Sequence, residues 1–305
     1  MTRKLNKKKW WKDKNFLFYC LLMAFPLAQF LIFYIGVNFN SILMAFQRID
    51  IQKDTVEWTA SNIQNAFEMM TASPELLSVM SVSILSYVIL TGIGIPLGLF
   101  FSYYIYKKLP LSGAFRVILF LPSILSAIVM ATIFQFFVER ALPTAMMQFF
   151  DVEMIGLLEN SETRFACILF YNILMSFGAN VLMYTNSMSG ISQEVVEASQ
   201  IDGASTFQEF IHVTLPMIYP TLTMFLFTGV AGIFTNQLNL FSFYGGAAPD
   251  EVSTYGYYFY TKTQGAKSVA EYPLLSAMGL LMSVVAVPLT LLVKWFLEKF
   301  GPSEE

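Results

Sequence analysis

Long apolar runs separated by short polar connectors dominate this chain. Six runs are long enough to cross a bilayer, at about 16–38, 78–106, 115–138, 165–186, 217–241 and 273–297. The first, Phe16 to Val37, would extend about 33 Å as a helix, against a hydrocarbon core of about 30 Å. In the second, Gly94 and Gly98 stand at a spacing that lets helices approach closely, and Pro96 frees a backbone carbonyl. Pro26, Pro122 and Pro288 are expected to kink their own spans. The pattern predicts an all-α, polytopic transmembrane bundle of six spans.

Composition supports the same class. Apolar residues make up 56% of the 305 residues and charged ones only 13%, against about 25% charged in soluble domains. The first 14 residues hold Arg3, Lys4, Lys7, Lys8, Lys9, Lys12 and Lys14. The apolar run behind them is longer than a signal-peptide core and no small-residue cleavage site follows, so it reads as an uncleaved anchor. With six spans, twelve of the 18 Lys and Arg residues fall on the side of this basic tail and six on the other. That bias places both termini in the cytoplasm. The expected organisation is a basic tail at 1–15, a transmembrane domain at 16–297 and a second cytoplasmic tail at 298–305.

The connector at 187–216 breaks the charge rule. It is assigned to the cytoplasm, yet it has no Lys or Arg and carries Glu194, Glu197, Asp202 and Glu209. It is either a solvated surface or an acidic plug for a basic receptor. Its local signals are clearer. Ser192 is placed to cap a helix from Gln193 to Ile201, and Gly203 suits the left-handed residue that ends it. Ser205 and Gln208 form a capping box for a second helix at about 206–213. Pro216 is expected in the first turn of span five, where its missing N–H costs little.

Little in the chain supports catalysis. Cys20 and Cys167 lie singly in apolar stretches and read as small buried hydrophobes. The sole histidine, His212, has no metal-ligand spacing around it. Gly265-Ala266-Lys267-Ser268 lacks the spacing of a phosphate-binding loop and is expected to face outside. Neither cofactor nor metal is expected, nor a nucleic-acid partner.

The string Glu197-Ala198-Ser199-x3-Gly203-x9-Val213-x-Leu215-Pro216 resembles the E-A-A-x3-G-x9-I-x-L-P loop of ABC importer permeases. Ser199 for Ala and Val213 for Ile are small departures. Glu197 to Ala204 is similar to the version in carbohydrate-uptake permeases of the maltose-transporter type. Phe115-Arg116 through Phe120-Leu121-Pro122 resembles the start of that family's next span. Asn236 to Leu240, then Gly245-Gly246 and Pro249, is similar to its F-N-x-F-D…G-G-G-P stretch, with Asn239 in place of the acid. The resemblance covers most of 16–297, and the N-terminal part looks more like the maltose F-type subunit than its mate.

The resemblance implies a type I ABC importer permease in a bacterial cytoplasmic membrane. It implies that the first loop helix is the coupling helix, seated in a groove of a homodimeric cytoplasmic ATPase. Glu197 would then pair with an ATPase arginine, Ala198 and Ser199 would allow close approach, and Gly203 would set the bend. The coupling set is Glu194, Glu197, Ala198, Ser199, Asp202, Gly203, Leu215 and Pro216. The other implied partners are a second homologous permease, an extracytoplasmic solute-binding protein and a carbohydrate.

Polar residues inside spans are costly in lipid and tend to face a cavity. Asn172, Ser176, Asn180 and Tyr184 recur every four residues in span four, as if along one face, and Asn236, Gln237 and Asn239 end span five. Amides, hydroxyls and rings match sugars, although interhelical hydrogen bonding would use the same groups. No acid or base falls mid-span, which argues against an ion-coupled carrier, and no Lys or Arg there favours a phosphorylated polyol. The expected function is the permease of an oligosaccharide importer. A glycerol-phosphate or polyol permease, and an ATPase-independent carrier, are the alternatives.

Overall fold

A computed structural model describes residues 14–302, apart from 52 and 54. Most of the expected basic tail at 1–15, and the last three residues, lie outside them. The chain divides into two compact units, Met1–Phe67 with Ala266–Leu281, and Glu68–Gly265 with Met282–Glu305.

In the first unit, α1 (Lys14–Gln29), a π-helical stretch (Phe30–Gly36) and α2 (Val37–Ala45) follow one another directly. Their apolar part, Phe18–Ala45, has 28 residues and extends about 42 Å. It therefore outruns the expected 16–38. Cys20 is exposed on this helix rather than buried, as a residue facing lipid would be. Next come a hairpin of β1 (Gln47–Asp50) and β2 (Thr55–Trp58), in register from Gln47↔Trp58 to Asp50↔Thr55, and α3 (Ser61–Ala72). The Asn62 amide anchors the hairpin by donating to the carbonyls of Gln47 at 2.7 Å and Ala45 at 3.3 Å. The Lys267 amide donates to a Glu271 carboxylate oxygen at 3.2 Å, so this glycine-lysine segment is directed at an acid of its own chain.

The second unit is built on α4 (Pro74–Tyr106), which packs along α8 (Ser161–Ser189). Small residues make that seam close. Ser102, fully buried, donates to the Gly98 carbonyl in its own helix at 2.6 Å and to the Val181 carbonyl across the seam at 3.0 Å. The Asn160 side chain caps α8 by accepting from the Glu162 amide. One apolar cluster gathers Tyr171, Leu238, Leu240 and Phe243, and a second gathers Leu99, Tyr103, Tyr184, Met188, Phe210 and Ile218.

Span three differs from its expected 115–138. Helix α5 (Ser112–Ile124) ends beyond Pro122, and Leu125 and Ser126 are extended, with Ser126 in the N-cap position of α6 (Ala127–Phe136). A π-helical stretch (Phe137–Ala141) and α7 (Leu142–Phe150) continue α6 into an apolar helix of 24 residues. That extension corrects a second expectation, because Glu139 and Arg140 now fall within an apolar helix. The Glu139 carboxylate turns inward and accepts from the Leu158 amide at 2.5 Å. It thereby takes up a peptide group of the 156–160 turn.

Span five was expected at 217–241. The structure instead has α9 (Gln193–Ile201), α10 (Thr206–Glu209), a π-helical turn (Phe210–Thr214), α11 (Leu215–Met217) and α12 (Tyr219–Gly232). The run Thr206–Met217 meets α12 at 65°. Among the described residues, five helices are long and apolar enough to cross a membrane, and the bent pair counted as one broken span gives six. Pro216 precedes the bend, and Pro220 occupies the first turn of α12. In a regular helix the Pro216 ring would meet the His212 carbonyl, and the wider π-helical turn relieves that clash. Then come α13 (Leu240–Tyr244), α14 (Tyr255–Gly265) and α15 (Tyr272–Phe300), whose end enters the expected tail at 298–305. Tyr219 ties α12 to α15 by donating to the Leu297 carbonyl at 2.9 Å.

Ser102→Leu should overpack the α4–α8 seam and cost roughly 1–3 kcal/mol. The check is the melting temperature of the detergent-purified protein, and an unchanged value would mean that the helices are not held this closely.

Candidate functional site

Two places in the second unit have the chemistry of a transport subunit, the 187–216 connector and a cavity beside the end of α12. In the connector, Ser192 has N-cap backbone geometry, but its hydroxyl makes no capping bond. The first turn of α9 is held instead by its carbonyl, which accepts from Val195 at 3.2 Å. Glu194, Glu197, Ala198 and Asp202 are exposed and Ser199 is half-buried. Val196 alone in α9 is buried. The chain then turns at Gly203, with φ +84°, a conformation that glycine adopts without steric cost. The capping box forms, since Ser205 accepts from the Gln208 amide at 3.4 Å and the Gln208 side chain accepts from the Ser205 amide at 2.9 Å.

The connector's four acids part company here. Three stay exposed, whereas Glu209 is 2% exposed. Its Oε1 receives Lys107 Nζ at 2.5 Å and the Tyr103 hydroxyl at 3.3 Å, and its Oε2 receives the Gln200 side-chain amide at 3.5 Å. Tyr103 also donates to the Thr206 carbonyl at 3.1 Å. The connector is thus pinned to the end of α4. The connector also carries exposed apolar residues, with Ile201 86% and Phe207 65% exposed. Leu215 and Pro216 are half-buried within the bent run and do not share the exposed α9 surface.

The cavity, about 360 Å³, is lined by Ser83, Ser86, Tyr87 and Thr91 of α4, Gly229 and Gly232 of α12, and Thr235, Asn236 and Thr254. Tyr87 crosses to α12 and donates to the Leu226 carbonyl at 2.9 Å. A β-carbon at Gly229 would lie 2.8 Å from the Tyr87 ring, so a side chain there would push the ring from its present place. Beyond Gly232 the chain leaves the helix, with Leu238 and Asn239 in left-handed conformation. Asn236 Oδ1 accepts from the Leu238 amide at 2.9 Å, and the Asn236 carbonyl accepts from the Thr254 hydroxyl at 2.7 Å. Asn172 donates to the Leu238 carbonyl and accepts from the Asn239 side chain, both at 2.9 Å.

The polar residues picked from the spans therefore have different surroundings. Asn236 lines the cavity, while Asn172 and Asn239 hold the turn that shapes it. Gln237 and Asn180 are half-buried; Ser176 is exposed and donates to the Asn172 carbonyl of its own helix. Tyr184 is fully buried, its ring 5.0 Å from Phe225, and serves as packing. Positions four apart on a helix drift by about 40° per step. Asn172 and Tyr184, three steps apart, therefore do not share a face. The cavity's α4 wall went unnoticed in the sequence, although Ser83, Ser86, Tyr87 and Thr91 form a hydroxyl stripe at helical spacing within an apolar span.

A helical membrane bundle with a surface-exposed connector and a polar cavity beside the end of a helix has the build of a solute-translocating subunit. Residues 94–303 match the family described as the binding-protein-dependent transport system inner membrane component. The chain belongs to that family, and is a multi-pass inner-membrane transport component with the type I permease fold. Among its relatives, the arabinooligosaccharides transport system permease protein AraP of Bacillus subtilis is 24% identical, over 75% of this chain and 73% of AraP. AraP of Halalkalibacterium halodurans is 27% identical, over 77% and 73%. The fold is similar to a chain of a bacterial ABC transporter involved in the import of the acidic polysaccharide alginate. That match has a TM-score of 0.77 at 19% identity and covers 96% of this chain and 99% of that one.

Asn172→Leu should leave the Leu238 carbonyl and the Asn239 amide unanswered and cost roughly 1–3 kcal/mol. Thermal melting of the purified protein checks it, and an unaltered midpoint would remove Asn172 as the support of the turn.

Proposed function

We propose that this chain is one of two related permease subunits of an ATP-driven importer for an oligosaccharide. The observation that carries the reading is the surface of α9 and its flanks. Glu194, Glu197 and Asp202 stand exposed beside Ala198, Val195, Ile201 and Phe207. Small residues allow close backbone approach, apolar ones favour burial, and acids fix register against a basic partner. Such a surface suits the groove of a cytoplasmic ATPase, and α9 is its coupling helix. In this reading 187–216 is the coupling loop of a transmembrane domain covering 16–297. Leu215 and Pro216 act at the bend, not in the docking surface.

The carbohydrate assignment rests on the names of the relatives and on the cavity. Hydroxyls of Ser83, Ser86 and Thr91, the amide of Asn236 and the Tyr87 ring offer donors, acceptors and a stacking face, as sugar recognition requires. No Lys or Arg lines the cavity, which disfavours a phosphorylated solute. Ser176, Asn180 and Gln237 extend the pathway on the α8 side. A binding protein delivers the sugar from outside, and ATP binding by the partner subunits draws the coupling helices together and switches the spans. Hydrolysis then resets the cycle, and this chain holds no nucleotide itself.

Two substitutions separate docking from passage. Glu197→Lys should leave the chain in the membrane, with the ATPase lost from a gentle-detergent pull-down and uptake abolished. Normal uptake by this variant would sink the coupling assignment. Asn236→Leu should keep the ATPase bound while uptake of a labelled oligosaccharide falls about tenfold or more, on the scale of a lost set of buried polar contacts. Wild-type rate and specificity would take Asn236 out of the pathway.

A further inference from the structure

The ion pair between half-buried Lys107 at the end of α4 and buried Glu209 of the connector is used by neither docking nor passage. We propose that Lys107–Glu209 is the joint that makes α4 move with the coupling loop, an inference that rests on the reading of α9 as the ATPase-docking helix. Glu209 is a bridge. One carboxylate oxygen takes Lys107 and Tyr103 of α4, and the other takes Gln200 of α9. Lys107 Nζ lies 5.4 Å and 5.6 Å from the Tyr103 and Tyr106 ring centres, so α4 holds the cation from several sides. The Phe210 ring, next to Glu209, sits 4.8 Å from Tyr103 and 5.6 Å from Phe100. In the middle of α4, Ser86 and Thr91 line the cavity. Ser86 and Lys107 are separated by about 30 Å of helix. A displacement of α9 thus reaches the cavity wall through a single continuous helix.

Burying such a pair gains little stability over an apolar pair of the same volume, because desolvation offsets the attraction. It does fix geometry, since removing one partner leaves a charge stranded in an apolar setting. A joint that must transmit force needs that intolerance of slippage. An apolar contact, which tolerates sliding, would not supply it.

The test uses the transporter with its partner subunits in proteoliposomes, and compares Glu209→Gln, the apolar pair Lys107→Met/Glu209→Leu, and the swap Lys107→Glu/Glu209→Lys. Expected for the first two is an ATPase that stays bound and hydrolyses ATP, with uptake per ATP reduced about tenfold or more, in the range of allosteric coupling energies. The swap should recover most of the uptake. If the apolar pair or Glu209→Gln transports at the wild-type rate, the pair is packing only and the proposal fails. It also fails if Glu209→Gln sheds the ATPase, because the pair would then serve docking. Should Glu209→Gln not fold, the swap decides: recovered uptake supports the joint, and a folded swap without uptake refutes it. A wild-type chain that binds no ATPase would overturn the coupling reading itself, a result distinct from any of the variant outcomes.

Discussion

A peptide group without a partner is costly in hydrocarbon, and this constraint decides where the chain can leave a helix. The segment beyond Gly232 leaves its helix, and side chains take over the peptide groups that it frees. Asn172 donates to the Leu238 carbonyl, Asn236 accepts from the Leu238 amide, and Thr254 donates to the Asn236 carbonyl. Those same residues shape the cavity, so the chemistry that permits the break also furnishes the polar wall. Irregular backbone at membrane depth is tolerated where it is buried in protein or lines a cavity; here Leu238 is buried and Thr235 and Asn236 line the cavity. The Glu139 carboxylate gives the same kind of support to the Leu158 amide.

Features governed by local chemistry were legible in the sequence. The long apolar runs became helices, Gly203 took its left-handed conformation, and Ser205 with Gln208 closed a capping box. Each depends on neighbours a few residues away. Span five and Glu209 were misplaced because they depend on partners far along the chain. Span five was drawn to residue 241 because Phe234, Leu238 and Leu240 are apolar, yet that hydrophobicity is used to bury a turn. Glu209 looked like one more surface acid, and its partner Lys107 lies 102 positions away. The four-residue spacing of Asn172 to Tyr184 resembled a stripe, but helical drift sends its ends to different surroundings.

The connector's charge was a puzzle while its four acids were counted together. Burying Glu209 against Lys107 resolves it into two layers. The inner acid is neutralised by the basic end of α4 and holds the connector to the bundle. The other three stay exposed, as do Ile201 and Phe207. A positively charged connector would have repelled the Lys107–Lys108 corner on which it folds. The absence of Lys and Arg from 187–216 suits this packing, and the other three acids stay exposed.

The two sites share one element. Helix α4 gives Ser83, Ser86, Tyr87 and Thr91 to the cavity and Tyr103 and Lys107 to the connector. Near its C-terminal end it is locked to α8 by Ser102, so α4 cannot slide freely along its axis. A tilt of α4 together with α8 would keep that bond, whereas a slide would break it. Tyr87, bonded to the Leu226 carbonyl, would draw α12 along at the cavity. The hydrogen bonds around α4 therefore favour rigid-body rocking over helix sliding, a motion that alters the cavity without uncovering a buried peptide group in lipid.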